Sequence, residues 1–345
     1  MAVRVLAALF SFLISDLSTM MEFGVNTSGL ELSKLVAMAQ TAESVGFTVF
    51  YPGDHLVLAQ TGAHPVQEPL LDAMTSAAAL FAATRKLRVG HLVLNNLFRH
   101  PMITAQALMT LDHIGGGRLV AGIGTGWTEQ ESTMSGIPFP DMKTRGEMLD
   151  EALTCMRSLW TDEVTNFEGK HYKLRDAVLW PKPIQKPYPP IMVGGGGRPI
   201  VRIAARHADI SNITWELGRA GKFDPAYLTE FNEERFKQRI DYLSDQCEHN
   251  GRARNAVAIS NLIGSCVVTD SEAATAKTVD GVARALGFTV DQVRHCPMLL
   301  IGTPQACIDE LRGRVKAFGV SQFIVTTKSE KTVRTLGEKI FPFVA

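Results

Sequence analysis

Short apolar runs rich in β-branched residues alternate along this chain with longer segments of helical period. Eight runs predict strands: EFGVN (22–26), FTVFY (47–51), LRVGHLVL (87–94), RLVAGIG (118–124), PIMVGG (190–195), ADISNIT (208–214), AVAISNLIG (256–264) and SQFIVTT (321–327). Between the first two, ELSKLVAMAQTAESVG places Leu32, Leu35, Val36 and Ala39 on one helical face, and Gly46 stops it. The segments DAMTSAAALFAAT, PMITAQALMTLDHI, RGEMLDEALTCMRSLW and CIDELRGRVKAFG predict helices in the same way. Pro101 stands at a helix start, where its missing N–H costs nothing. Eight β-α units in series predict a TIM (β/α)8 barrel. A doubly wound sheet would more usually carry five or six parallel strands and a phosphate fingerprint in its first unit. The first turn here, GVNTSGLELS, has no such fingerprint.

Two stretches break the rhythm. Residues 161–190 hold VTNFEGKHYKL, which predicts a hairpin around Glu168-Gly169, and then WPKPIQKPYPP, whose prolines forbid helix and favour extended chain. This reads as an insertion that crosses the barrel rim before strand five. Residues 277–297 are long, mixed and helical. Long loops on a barrel usually belong to its active face, so both stretches, with 128–143, are expected to line a pocket. At the start, MAVRVLAALFSFLI resembles a weak signal peptide, but Asp16 follows, no A-x-A site does, and the run is short for a bilayer span. Residues 1–20 therefore read as an N-terminal extension, with a packed helix or a cleaved leader as alternatives. One barrel domain is expected over 21–345.

Composition narrows the functional classes. The 345 residues are 46% hydrophobic, enough for a sizeable core. Lys and Arg total 35 and Asp and Glu total 35, so nothing predicts a nucleic acid or an anionic membrane as partner. The five cysteines are scattered without C-x-x-C or Cys/His ligand spacing, which fits a reducing cytoplasm and no structural metal.

Four places could carry chemistry. In FYPGDHLVLA (50–59), Asp54 and His55 follow a strand and a Pro-Gly turn; they are either a functional pair or a polar loop with a helix cap. In GGGRLVAGIGTGW (115–127), Gly122, Gly124 and Gly126 close a strand. Trp127 stands where a dinucleotide fingerprint would have its third glycine, so these glycines either admit a planar ligand to the backbone or serve a turn with positive φ. In VGGGGRP (193–199), four glycines run into a helix, an anion site built from backbone N–H groups or else a loose loop, with Arg198 a second ligand or merely solvated. In VLNNLFRHP (93–101), Asn95 and Asn96 end the third strand as turn residues or ligands, and His100 caps the next helix. There is no H-E-x-x-H and no G-x-S-x-G.

Taken together with TLDHIGGGRLVAGIGTGWTEQE, GIPFPDMKTRGEMLDEAL, WPKPIQKPYPPIMVGG and AARHADI, these stretches resemble the luciferase-like monooxygenase superfamily, in particular its actinobacterial coenzyme F420-dependent oxidoreductases. The resemblance covers residues 21–345. It implies a barrel with a deazaflavin at its C-terminal face and a small-molecule substrate. It further implies that Asp54 contacts the cofactor and that His55 lies beside the reactive ring as proton donor or substrate contact. A non-proline cis peptide bond is implied near Leu92–Val93, with Val93 and Asn95 against the ring. Thr125 and Gly126 match the ring-binding turn, Gln130 is a weaker match, and Gly195, Gly196 and Gly197 match the loop that holds the tail phosphate. The family's sugar-phosphate dehydrogenases carry an acid after Thr-Gly where this chain has Trp127, so that acid's role does not transfer; Trp127 becomes a wall of the substrate pocket. A homodimer is implied as well. The leading expectation is hydride transfer between coenzyme F420 and an unidentified small organic substrate, with His55 moving the proton. The alternatives are an FMN-dependent monooxygenase in the same cleft and a cofactor-binding barrel without turnover.

Overall fold

The computed structural model describes residues 21–58, 68–216 and 225–344, so the expectation for residues 1–20 lies outside the described residues. All eight expected strands form. They are β1 (Glu22–Thr27), β2 (Val49–Pro52), β3 (Arg88–Gly90), β4 (Leu119–Gly124), β5 (Ile191–Gly194), β6 (Ile210–Ile213), β7 (Ala258–Ile263) and β8 (Val320–Thr326). Each pairs in parallel with the next, and β1 pairs with β8, which closes the barrel. A short continuation of the third strand, Leu94–Asn95, pairs with the end of β4.

Alternation along the strands explains the closure. Phe50, Leu119, Ala121, Ile191 and Val193 pack outward into the large core shared with the helices. Their neighbours Val49, Tyr51, Val120 and Met192 point inward and, with Ile210 and Ile324, form a separate buried cluster. A period of two places one set on each face of a closed sheet. Tyr51 is the bulky member. A Cβ on Gly24 would stand 3.1 Å from its ring and one on Gly90 2.6 Å, so both glycines are the room that the ring occupies. Its hydroxyl accepts a hydrogen bond from Gln322 Nε2 at 3.1 Å, and Gln322 also donates to Glu22, which pairs with Arg88. This polar plug seals the end of the barrel where the strands begin. Burial pushes the Tyr51 phenol up, with the nearby Glu22 carboxylate adding to the effect.

The outer layer comprises α1 (Leu32–Ser44), α2 (Ala73–Ala83), α3 (Pro101–Ile114), α4 (Met142–Thr161), α5 (Arg198–His207), α6 (Glu233–His249), α7 (Pro304–Phe318) and α8 (Glu330–Lys339). The buried face of α1 is Leu35, Met38, Ala39 and Ala42, while Leu32 at its first turn is exposed. His100 caps α3 as expected, its Nδ1 accepting the N–H of Met102 at 3.2 Å.

The two irregular stretches lie elsewhere than expected. The hairpin forms, with Thr165–Glu168 against Lys173–Ala177, and leans on α4, where the Glu151 carboxylate accepts three successive backbone N–H groups. The proline-rich chain after it passes the opposite end of the barrel: Gln185 bonds to Asp112 near the end of α3 and to the carbonyl of Leu119, the first residue of β4. Because α4 runs back towards the strand starts, the chain must enter β5 from there. Residues 277–297 belong to helices Glu272–Leu286 and Val290–Arg294, which share a small core of Val279, Ala283, Phe288 and Val293. Beside them lies an unexpected parallel pair, Ser265–Val268 with Leu299–Gly302. Among the described residues no helix is long and apolar enough to cross a membrane.

Gly90→Ala forces its new methyl into the Tyr51 ring. The expected cost is about 1–3 kcal/mol of unfolding free energy, measured by chemical denaturation. An unchanged denaturation midpoint contradicts the account of the barrel interior.

Candidate active site

The strand ends open into a cleft of about 400 Å³. Asp54, His55, Val93, Asn95, Thr125, Gly126, Trp127 and Gly195 to Gly197 all line it. These residues come from four separate strand ends, brought together only by barrel closure. Gln130 is not among them. Its neighbour Glu131 is, from the short helix Glu129–Ser135. None of the lining residues comes from 161–190 or 277–297, and 128–143 supplies only Glu131 and Met142.

Asp54 is 5% exposed and its carboxylate is fully engaged. Arg99 binds it through both outer nitrogens, at 2.7 and 3.0 Å, and the backbone N–H of Asn95 donates to Oδ2 at 2.9 Å. This bidentate pair ties the end of β2 to the turn after the third strand. Arg99 also reaches Asp72, the cap of α2. Burial works against the Arg99 charge, but the hydrogen bonds and charges of Asp54 and Asp72 win and raise its pKa. Asp54 therefore reaches the site chiefly through Asn95, whose N–H it holds.

The glycines of GIGTG answer to the third strand. The Leu92–Val93 peptide is cis, at the place the resemblance implies. A Cβ on Gly122 would overlap the His91 carbonyl. One on Gly124 would stand 2.5 Å from Val93 Cγ2, and one on Gly126 2.6 Å from Asn95 Oδ1. Only Gly126 of the three has positive φ, at 77°. Gly122 and Gly124 thus make room for the third strand, and Gly124 also lines the cleft. Arg145, buried on α4, donates to the Gly126 carbonyl at 2.7 Å and stacks on Phe139, which fixes the turn from behind.

His55 stands at the cleft wall. Its Nδ1 lies 3.2 Å from Glu131 Oε1 and 3.2 Å from Trp127 Nε1, an indole N–H donor. Glu131 Oε1 also accepts the Leu56 N–H at 2.9 Å. Sequence reasoning missed Glu131 for a physical reason: Thr128-x-x-Glu131 has the spacing of a capping box, which would send the carboxylate to its own helix end.

On the far wall, Gly197 precedes α5 without a side-chain cap; Pro199 has no N–H, Ile200 and Val201 donate to the Gly197 carbonyl and Gly195 donates to Asn212, so the amides with no described partner are those of Gly196, Gly197 and Arg198. A Cβ on Gly196 would overlap the Thr214 carbonyl, whereas one on Gly197 meets nothing closer than 3.8 Å. Arg198 does not turn to this loop; it lies over the Tyr242 ring. The buried cation there is Arg239, which donates to the Gly196 carbonyl at 2.7 Å and pairs with Glu216. Among the described residues no cluster of three His, Cys, Asp or Glu could hold a metal ion.

His91, directly after β3 and just before the cis peptide, is fully buried near Asp54 and Asp72. Burial pushes its imidazole down to about 4 despite the nearby Asp54 and Asp72 carboxylates.

A sequence profile of the luciferase-like monooxygenase family matches residues 15–295. An uncharacterized protein of Mycobacterium tuberculosis is 34% identical over 173 residues, a match that spans 47% of this chain and 60% of that relative. An F420-dependent glucose-6-phosphate dehydrogenase of Microbacterium testaceum is 29% identical over 325 residues, 93% of this chain and 88% of the relative. A solved structure, the coenzyme F420-dependent tetrahydromethanopterin reductase of Methanopyrus kandleri, superposes with a TM-score of 0.74 at 19% identity, covering 95% of this chain and 100% of that one.

Two outcomes follow from these contacts. Arg99→Ala strands a buried carboxylate; breaking such pairs costs roughly 3–5 kcal/mol, and a figure near the lower end is expected because Arg99 keeps 20% of its side chain in solvent. Urea denaturation measures it, and a loss below about 1 kcal/mol contradicts the clamp. The unfolded His91 takes up its proton near 6.5 but the folded one only near 4. Stability is unaffected above the first value and falls as pH drops from about 6.5 to about 4. His91→Gln should make that decline shallower; an identical slope contradicts a buried neutral imidazole.

Proposed function

The chain belongs to the luciferase-like monooxygenase family, and from that premise we propose that it is a coenzyme F420-dependent oxidoreductase. It exchanges a hydride between the deazaflavin and a small organic substrate. The observation that carries this reading is one juxtaposition. A single cleft holds a histidine engaged at Nδ1, a planar-ligand wall at Val93, Asn95, Thr125 and Gly126, and an uncapped helix start behind Gly195, Gly196 and Gly197. The relative aligned over 93% of this chain is itself F420-dependent.

The residues present fit the cofactor. The amides of Gly196, Gly197 and Arg198 suit a tail phosphate without a lysine, and a side chain at Gly126 or Gly196 would collide with its neighbours and close the cradle. Bound there, a deazaflavin supplies a two-electron hydride donor or acceptor. The protein does the rest. Val93 and Asn95 back the ring, and Asp54 with Arg99 keeps Asn95 in place. His55 manages the proton on the substrate heteroatom, since an imidazole nitrogen can both accept and return one.

The substrate end of the cleft favours an uncharged molecule. Among the described lining residues there is no Lys or Arg, and Leu92, Trp127, Met142 and Leu262 supply apolar surface. A sugar phosphate would meet Glu131, with which no described Lys or Arg pairs, and no lining cation; Asp54 and Glu216 are already matched by Arg99 and Arg239. The proposal includes a homodimer in the cytoplasm; all five cysteines are free, which suits a reducing compartment.

The test is anaerobic turnover of F420 against a panel of uncharged alcohols, aldehydes and ketones. The proposal expects turnover without oxygen, no activity on glucose 6-phosphate, and a loss of roughly 10²–10⁴ in rate for His55→Ala with cofactor affinity retained. Activity that appears only with reduced FMN and consumes oxygen overturns it in favour of a monooxygenase. A protein that binds F420, turns over nothing and is indifferent to His55→Ala is a binding barrel.

A further inference from the structure

Glu131 is wholly buried, yet among the described residues no lysine or arginine pairs with it. One oxygen, Oε1, takes the Leu56 N–H and faces His55 Nδ1; the other, Oε2, is buried with no hydrogen-bond partner among the described residues. Burying an ionised carboxylate is expensive unless a charge or several donors offset it. Among the described residues, the only group touching Glu131 that can bring positive charge is His55.

Nδ1 of His55 also receives a second, incompatible offer. The Trp127 indole N–H points at the same atom at 3.2 Å, with the two rings edge to face at 5.6 Å. An indole N–H can only donate, so the Trp127 contact requires a bare Nδ1 and puts the ring proton on Nε2. A carboxylate can only accept, so the Glu131 contact requires Nδ1–H and leaves Nε2 with its lone pair. The two neighbours select opposite tautomers of one imidazole.

We infer that Glu131 is a positioning residue that holds His55 as the Nδ1–H tautomer, so that Nε2 is the atom that exchanges a proton with substrate, and that Trp127 marks the competing, proton-blocked setting. The inference rests on the His55 role proposed above. In the direction of substrate oxidation, the heteroatom proton would pass to Nε2, with a deazaflavin, when bound, accepting the hydride from the adjacent carbon. The ring becomes an imidazolium whose Nδ1–H already points at a carboxylate, so the new charge forms beside its counter-ion. In the reverse direction Nε2 returns the proton and the same contact is kept. Fixing a tautomer in this way is what a carboxylate behind a catalytic histidine does in unrelated enzymes.

The test needs no cofactor. Nitrogen-15 histidine spectra of the free protein, recorded where the ring is neutral, distinguish Nδ1–H from Nε2–H, and His55→Gln identifies the resonances. The expected result is Nδ1–H in the wild type, a shift towards Nε2–H in Glu131→Leu, and retained Nδ1–H in Trp127→Phe. Glu131→Leu removes the oxygen that the Leu56 N–H and His55 Nδ1 share, and should it fail to fold, Trp127→Phe tests the same competition from the other side. A wild-type ring protonated at Nε2 and unchanged by Glu131→Leu overturns the inference, as does a rise of Nε2–H in Trp127→Phe. In turnover, Glu131→Leu should lose roughly 10²–10⁴ in kcat with cofactor affinity unchanged; an unaltered kcat alongside a shifted tautomer overturns the catalytic part. Because the spectra contain no F420, a wrong cofactor assignment would leave the tautomer result standing.

Discussion

Asp54 is a buried carboxylate at the end of β2, and its satisfaction shapes the cleft. Its oxygens are filled by Arg99 and by the Asn95 N–H, so the turn after the third strand cannot move independently of β2. That turn in turn presses on β4. Gly124 and Gly126 are glycines because Val93 and Asn95 stand where side chains would be. Arg145 then holds the Gly126 carbonyl from α4. A chain of close contacts therefore runs from one ion pair through three strand ends to the Thr125-Gly126-Trp127 wall. His55, directly after Asp54, inherits its position from the same anchor and is trimmed by Glu131 and Trp127.

The barrel was legible in the sequence because its cause is local. Parallel strands covered on both sides read as short, nearly continuous apolar runs, and each of the eight stands where its run does. The cleft was legible wherever a special residue sat at a strand end: Asp54-His55, Asn95, Thr125-Gly126 and the glycines after β5. The charges behind them were not. Arg99, Glu131, Arg145 and Arg239 are polar residues whose partners lie 19 to 76 positions away, and nothing local distinguishes them from solvated side chains. Glu131 was further concealed by its capping-box spacing, and Gln130 beside it drew the expectation instead. The reason for the GIGTG glycines was also invisible, because it lies in the neighbouring strand.

The irregular stretches show how chain direction overrides a reading from loop length. A helix that follows a barrel strand returns the chain to the strand starts, so a proline-rich run after α4 must begin there whatever its length. The hairpin before it does reach back, and Tyr172 meets the Asn96 side chain at 3.3 Å. It buttresses the third-strand turn from outside and does not line the cleft. The cleft lining thus comes largely from the strand ends themselves, with Leu92, Trp127, Met142 and Leu262 as its apolar surface and Glu131 as the lining carboxylate that pairs with no described Lys or Arg.

The central claim is that this cleft is built for a deazaflavin. Equilibrium binding of oxidised coenzyme F420 and of FMN, measured side by side by fluorescence on the purified protein, tests it most directly. The account predicts micromolar or tighter binding of F420 with FMN much weaker. Preference for FMN, or no binding of F420, would contradict it.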